Sequence, residues 1–243
     1  ARTCSGRCPP SGASTTTSLI EAGGVHVSQI ALYQGVKAVL MQDGQPAGGD
    51  VPIVADRDAL MRVFVSVDSE YDGKPVTGRL TIDGDVEPVE VTQVVNGSPQ
   101  EENLDSTLNF EIPGASIRPG FAYKIRLLQP SEDSQGSNPG ARYPDTGFAG
   151  TKAQSVGKAV KITLVPFSYG ADGSDRLPDT SPAAVQGYQD LFYGMYPTPS
   201  IEMTVRDPVP YDNEVSPNGA GWDELLGYLQ QVRADDKAAF DVY

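Results

Sequence analysis

The chain has 243 residues, with 18 Lys plus Arg against 32 Asp plus Glu and a net charge of −14. That balance excludes sequence-independent nucleic-acid binding, which relies on Lys and Arg neutralising phosphates, and docking on an anionic membrane. The length suits one large or two ordinary domains, and no apolar run is long enough to span a bilayer. With 26 Gly, 20 Pro and abundant Thr, Ser and Val, the composition suits a β-rich secreted or cell-surface protein with many turns. The sequence opens at Ala1 without Met, which reads as a processed or trimmed start.

Residues 1–24 are rich in Ser, Thr, Gly and Pro and read as a flexible N-terminal segment. Cys4 and Cys8, in Cys-Ser-Gly-Arg-Cys-Pro-Pro, are the only cysteines. A short disulfide loop between them fits an oxidising compartment. A metal half-site is the sharper alternative, but only His26 could add a side-chain nitrogen, and structural zinc sites normally carry four Cys or His ligands. Thr15 to Thr17 offer hydroxyls that could carry sugar, against the plainer reading of a polar spacer.

Residues 25–129 alternate in the manner of strands buried on one side. Val25, Val27, Ile30 and Leu32 begin one strand, and 36–41 continue after Gly35. Met61, Val63, Val65 and Val67 share a face opposite Arg62 and Ser66. Leu108, Phe110 and Ile112 form another set, as do Tyr123, Ile125 and Leu127. Asp43-Gly44, Asp83-Gly84, Asn96-Gly97 and Pro119-Gly120 mark turns. Short strands at this spacing predict an immunoglobulin-like β-sandwich with Val63, Val65, Tyr123, Ile125 and Leu127 in one core. Tyr123 after Pro119-Gly120 suggests a tyrosine corner, whereas the Cys pair and core Trp of antibody domains are missing. Asp56-Arg57-Asp58 reads as an ion-paired turn.

Residues 130–157 are dense in Ser, Gly, Pro and Asp and predict an inter-domain linker, the first place a protease would cut. Residues 158–243 then read as an α/β domain ordered strand, helix, strand, helix, strand. Lys161 to Phe167 is the first strand and Ile201 to Arg206 the second. Ser181 as N-cap and Pro182 at the first helical position open a helix over 182–195. A second helix covers 222–233, with Asp223 and Glu224 at its positive end. The apolar stripes Val185, Tyr188, Leu191, Phe192, Met195 and Trp222, Leu225, Leu226, Leu229, Val232 are expected to be core. Phe240-Asp-Val-Tyr243 reads as a third strand entered but unfinished. The fold class is therefore mixed β and α/β: a β-sandwich followed by an incomplete α/β domain.

Motifs that carry chemistry are sparse. His26 is the only histidine and lies in a β strand, so the chain has no His-Glu-x-x-His. No Gly-x-Ser-x-Gly motif and no phosphate-binding loop occurs, and Gly219-Ala-Gly221 lacks the preceding strand of a dinucleotide site. Asp172, Asp175 and Asp179 form an acidic loop whose oxygens suit calcium, against the simpler reading of a solvated turn. No residue is assigned a catalytic, cofactor-binding or metal-binding role.

Five stretches carry a resemblance. They are Pro52-Ile-Val-Ala-Asp-Arg-Asp-Ala-Leu-Met-Arg-Val-Phe-Val65, Lys161-Ile-Thr-Leu-Val-Pro-Phe-Ser-Tyr169, Arg176-Leu-Pro-Asp-Thr180, Tyr193-Gly-Met-Tyr-Pro197 and Gly221-Trp-Asp-Glu-Leu-Leu226. Together they resemble the N-terminal part of secreted bacterial zincin-type metalloproteases related to mucin-cleaving enzymes. The resemblance implies an immunoglobulin-like domain followed by the opening β-α-β-α-β of a protease domain. It also implies that zinc and its His-Glu-x-x-His helix belong only to a longer parent. On that basis the chain is expected to be a non-catalytic scaffold or substrate-positioning module. The alternative is a surface adhesion or filament-forming subunit, with a protein or glycoprotein ligand or copies of itself as partner.

Overall fold

The computed structural model describes residues 18–48, 51–131 and 137–237. Cys4, Cys8, the Thr15 to Thr17 run and the expected third strand at 240–243 lie outside them.

In chain order the first half holds β1 (Leu19–Glu21), β2 (Val25–Tyr33), β3 (Lys37–Gln42), β4 (Gln45–Pro46), β5 (Ile53–Val54), β6 (Ala59–Val67), β7 (Val76–Ile82) and β8 (Val89–Gln93). There follow β9 (Leu108–Ile112), β10 (Ala122–Pro130), β11 (Arg142–Tyr143), β12 (Ala149–Gly150) and β13 (Ala153–Gln154). One antiparallel sheet runs β4-β3-β2-β6-β9. The other runs β1-β10-β7-β8, with β11 and β12 also paired to β10. Side chains from both sheets meet in one apolar core, including Ile30, Met61, Val63, Val65 and Phe110 from the first and Leu80, Tyr123, Ile125 and Leu127 from the second.

Two sequence details have direct structural causes. The apolar phase of β2 slips from Val25 and Val27 to Ile30 and Leu32. Its register against β6 shifts between Val27 and Gln29, a bulge that absorbs one residue and keeps all four side chains inward. Arg62, on the face of β6 opposite the core, is nevertheless buried. Its guanidinium donates to the carbonyls of Gln100 (3.1 Å), Glu101 (2.7 Å) and Asn103 (3.1 Å), and its Nε–H to the Thr107 hydroxyl (3.0 Å). The loop 100–107 thereby covers that face.

Three expectations are corrected in this half. Residues 19–24 are not part of a flexible segment, because β1 pairs with β10 and Ala22 is fully buried. Residues 137–154 are not a linker. Asn138 donates to the carbonyls of Ala22 and Val25, both at 2.8 Å, and β11 and β12 pair with β10 while β13 pairs with β5. Ala141, Tyr143 and Ala153 are buried between the Gly and Pro turns, so turn-rich composition here reflects chain reversals on a sheet edge. Finally, Tyr123 makes no tyrosine corner. Its hydroxyl is buried without a hydrogen-bond partner, and its ring lies between Phe121 and Tyr143.

The connection to the second half is residues 155–159 rather than 130–157. Beyond it stand β14 (Val160–Leu164), β15 (Phe167–Tyr169), α1 (Pro182–Met195), β16 (Ile201–Val205), β17 (Val209–Tyr211) and α2 (Trp222–Asp235). β14 pairs in parallel with β16, and β15 with β17. The parallel return from β14 to β16 runs through α1, as parallel pairing requires a crossover. Ser181 caps α1 by accepting from the Ala184 N–H, with Pro182 at the first position. Gly221, at φ 85°, caps α2, where a Cβ would stand 2.3 Å from the Glu214 carbonyl oxygen.

The apolar stripes of the two helices are not core, contrary to expectation. Among the described residues α1 buries none of its own, and Leu191 and Met195 are 57% and 65% exposed. α2 buries only Val232, and Trp222 and Leu226 are 52% and 56% exposed. Phe167, Tyr211 and Tyr228 form the one aromatic cluster seen between α2 and the strands, with ring centroids 5.7–6.2 Å apart.

Replacing Ile125 by Ala is expected to destabilise the protein by about 2–5 kcal/mol, as for a large-to-small change in a packed core. Chemical denaturation measures it, and a loss in the surface range of under about 0.5 kcal/mol would contradict the core assignment. A second expectation concerns Glu21, which ties β1 to the 137–142 segment. Its carboxylate accepts from Arg126 (2.8 Å), Arg142 (2.9 Å) and the Asn138 N–H (3.1 Å). Burial alone would raise its pKa, but Arg142 and the other donors outweigh burial and hold it below 4.5. With the folded value below the unfolded one, the contribution is complete above that value and is lost as pH falls through the folded pKa. Urea midpoints compared at about pH 6 and about pH 3 should therefore fall further for the wild type than for Glu21→Gln.

Candidate functional site

The turn at 55–58 is the point at which the two halves meet. Its backbone is pinned from both sides: the Ala55 N–H donates to the Gln154 carbonyl and the Asp56 N–H to the Ile117 carbonyl. Gln34, at the end of β2, donates to the carbonyls of Val54 (2.9 Å) and Arg57 (2.8 Å) and accepts from the Val54 N–H. Asp58 accepts from the Gly114 N–H at 2.7 Å. With the turn so fixed, Arg57 projects into the second half and is only 2% exposed.

Asp56-Arg57-Asp58 is thus not the ion-paired turn expected from its charges. The Arg57 guanidinium donates to the carbonyls of Tyr193, Tyr196 (2.9 Å) and Thr198 (2.7 Å), at the C-terminal end of α1. The Tyr193 carbonyl lies in the last turn of α1, at the negative end of the helix dipole, where Pro197 has no N–H to offer it, so a cation is favoured there. The guanidinium also lies 4.0 Å from the centroid of the Tyr193 ring, and the Asp58 N–H donates to the Tyr193 hydroxyl. Burial draws the Arg57 pKa below its usual value, opposed by Tyr193 and Asp58. Beside this contact Gly35 meets Gly194: a Cβ on Gly35, whose φ is 90°, would approach the Gly194 carbonyl oxygen to 2.8 Å.

A cleft of about 690 Å³ opens along this junction. Its walls come from Tyr33 and Gln34 of the β2 end, Arg57 to Leu60, Glu111 to Pro113 of the β9 end, and Tyr193 of α1. Leu60 and Pro113 supply apolar surface, and Asp58 and Glu111 supply carboxylates.

The residues singled out from the sequence fall elsewhere. His26 lies in β2, 2.8 Å from Asp68, an ion pair when the imidazole is protonated. Asp172 turns back on its own loop, accepting from Ser174 and pairing with Arg176, and these partners hold its pKa down to about 2. Asp179 accepts from the Ser181 N–H. Among the described residues no three His, Cys, Asp or Glu side chains stand together to hold a metal ion. No helix among them is long and apolar enough to cross a membrane.

Arg57, Tyr193 and Glu111 were not distinguished by sequence motif. The available signal was a single cation, Arg57, flanked by Asp56 and Asp58 between the apolar runs that end at Ala55 and begin at Ala59. No family model matches the chain, and no curated protein matches it.

Replacing Arg57 by Ala would leave the Tyr193 and Thr198 carbonyls without this donor, while Tyr196 keeps the Thr198 N–H, at a cost of roughly 1–3 kcal/mol. Arg57→Lys should recover little of it, because a point charge cannot reproduce the planar fork. Hydrogen exchange reads the effect directly: both variants are expected to lose amide protection across 193–198 while the β6 core keeps its own.

Proposed function

We propose that this chain is a non-catalytic scaffold portion of a secreted zincin-type metalloprotease-like protein. In this reading an immunoglobulin-like sandwich holds the opening strands and helices of a protease domain in place. The observation that carries it is the unfinished packing of the second half. Both helices leave their apolar stripes half exposed, and among the described residues the buried ones there are few: Pro166, Thr198, Ile201, Val209, Tyr211 and Val232. Contiguous apolar surface of this kind marks a place where further polypeptide packs. The five stretches that resemble zincin-type proteases supply the class of polypeptide.

The donor set supports the scaffold role. A catalytic zinc site takes three protein ligands and an open position, and Cys4, Cys8 and His26 are the only sulfur or nitrogen ligands of that kind in the chain. The same exposed stripes would also be covered in a surface adhesion or filament subunit built from copies of this chain, which is the second reading.

Two measurements separate them. The purified chain is expected to show no chelator-sensitive cleavage of casein or mucin, with or without added zinc. An antibody raised against the chain should detect, in the secreted material of its source, a species larger than 25.8 kDa. A species of 25.8 kDa alone, sedimenting as large assemblies, would replace the protease reading by the assembly one.

A further inference from the structure

We propose that a pocket between the two sheets of the first half binds a small apolar carbonyl compound, whose carbonyl oxygen takes a hydrogen bond from the Tyr123 hydroxyl. The pocket has a volume of about 420 Å³, the size of a small-molecule site. Ala38 and Leu40 of β3 border it from one sheet, and Tyr123 of β10, Tyr143 of β11 and Ala149 of β12 from the other. Ile53 of β5 borders it as well. The pocket therefore reaches inward between the sheets. Tyr123 and Tyr143 on its floor are 1% and 7% exposed, and both belong to the central apolar cluster.

The observation that points to a ligand is the Tyr123 hydroxyl. Buried polar groups are nearly always hydrogen-bonded, and this one has no partner. Packing does not call for it: a Phe would fill the same place between Phe121 and Tyr143 and leave no polar atom unpaired. The Tyr143 ring centroid lies 6.3 Å from that of Tyr123, and its hydroxyl also makes no hydrogen bond among the described residues. Burial, and for Tyr123 the neighbouring Tyr143, hold both phenols above their usual pKa. They stay protonated and are available as donors. A donor calls for an acceptor, and walls of Ala, Leu and Ile call for an apolar body. A carboxylate would lose its hydration at this depth, whereas a neutral carbonyl oxygen accepts at far lower cost. Its two lone pairs leave room for a second bond, from Tyr143.

The pocket lies wholly within the first half, so failure of this proposal would leave the scaffold role standing. The probes are acetophenone and isopropylbenzene, which share a shape and differ in the carbonyl oxygen. Each is titrated into the full isotopically labelled chain and followed by amide chemical shifts. Acetophenone is expected to give saturable shifts confined to 38–40, 123, 143 and 149–151. Isopropylbenzene should bind the same place about two- to tenfold more weakly, the net worth of one hydrogen bond. Tyr123→Phe should bind the two probes equally, because it keeps the apolar pocket and loses the donor. The same variant should unfold at a urea midpoint no lower than the wild type, because it loses an unpaired hydroxyl. Tyr143→Phe should keep a preference for acetophenone. Shifts scattered over the surface, equal binding of both probes by the wild type, or a Tyr123→Phe chain that still prefers acetophenone would each overturn the assignment. A clearly lowered midpoint for Tyr123→Phe would overturn it too, by showing the hydroxyl already satisfied by water.

Discussion

The arrangement of the two halves depends on one buried cation. A guanidinium removed from water is costly, and Arg57 is tolerated because three carbonyls at and just past the end of α1, the face of Tyr193 and the charge of Asp58 replace most of its hydration, its Nε alone being buried without a partner. The arrangement is reciprocal. The Tyr193 carbonyl would otherwise lack a donor, and the helix is too exposed to be held by apolar burial. A polar contact thus does here what a hydrophobic interface does in most two-part proteins. Arg62 repeats the device on a smaller scale, holding the loop 100–107 over its own sheet.

The two halves differ in how they are stabilised. The first half closes its core on itself, with Ile30, Leu80, Leu108, Phe110, Ile125 and Leu127 at 0% exposure. The second half has hydrogen-bonded strands and well-capped helices but almost no enclosed apolar volume. Local propensity and caps are enough to define where α1 and α2 start, while most helical stability in proteins comes from packing an apolar face. The first half is therefore expected to carry most of the protein's cooperative stability.

What the sequence revealed divides along the same line. Periodicity placed the strands around Met61, Leu108 and Tyr123, and Ser181-Pro182 placed the start of α1, because those signals are local and the structure obeys them. The 137–154 segment was misread because Gly, Pro and Ser report chain reversal without reporting what the reversing chain rests on. Asn138 and Tyr143, which anchor it, carry no pattern at all. The helix stripes were misread because periodicity shows which face is apolar and not whether anything covers it. Arg57 was invisible as a contact because its partners are main-chain carbonyls about 140 residues away, and carbonyls have no sequence.

The brevity of the 155–159 connection bears on how firmly the halves must hold one another. Joined by so short a tether, their two faces meet at an effective concentration in the millimolar range or above, so even a contact of modest intrinsic affinity stays closed nearly all the time. The tether, as much as the guanidinium, keeps the cleft assembled. If a single peptide bond in it were broken, the same contacts would become a bimolecular equilibrium, and dilution alone would take the cleft apart.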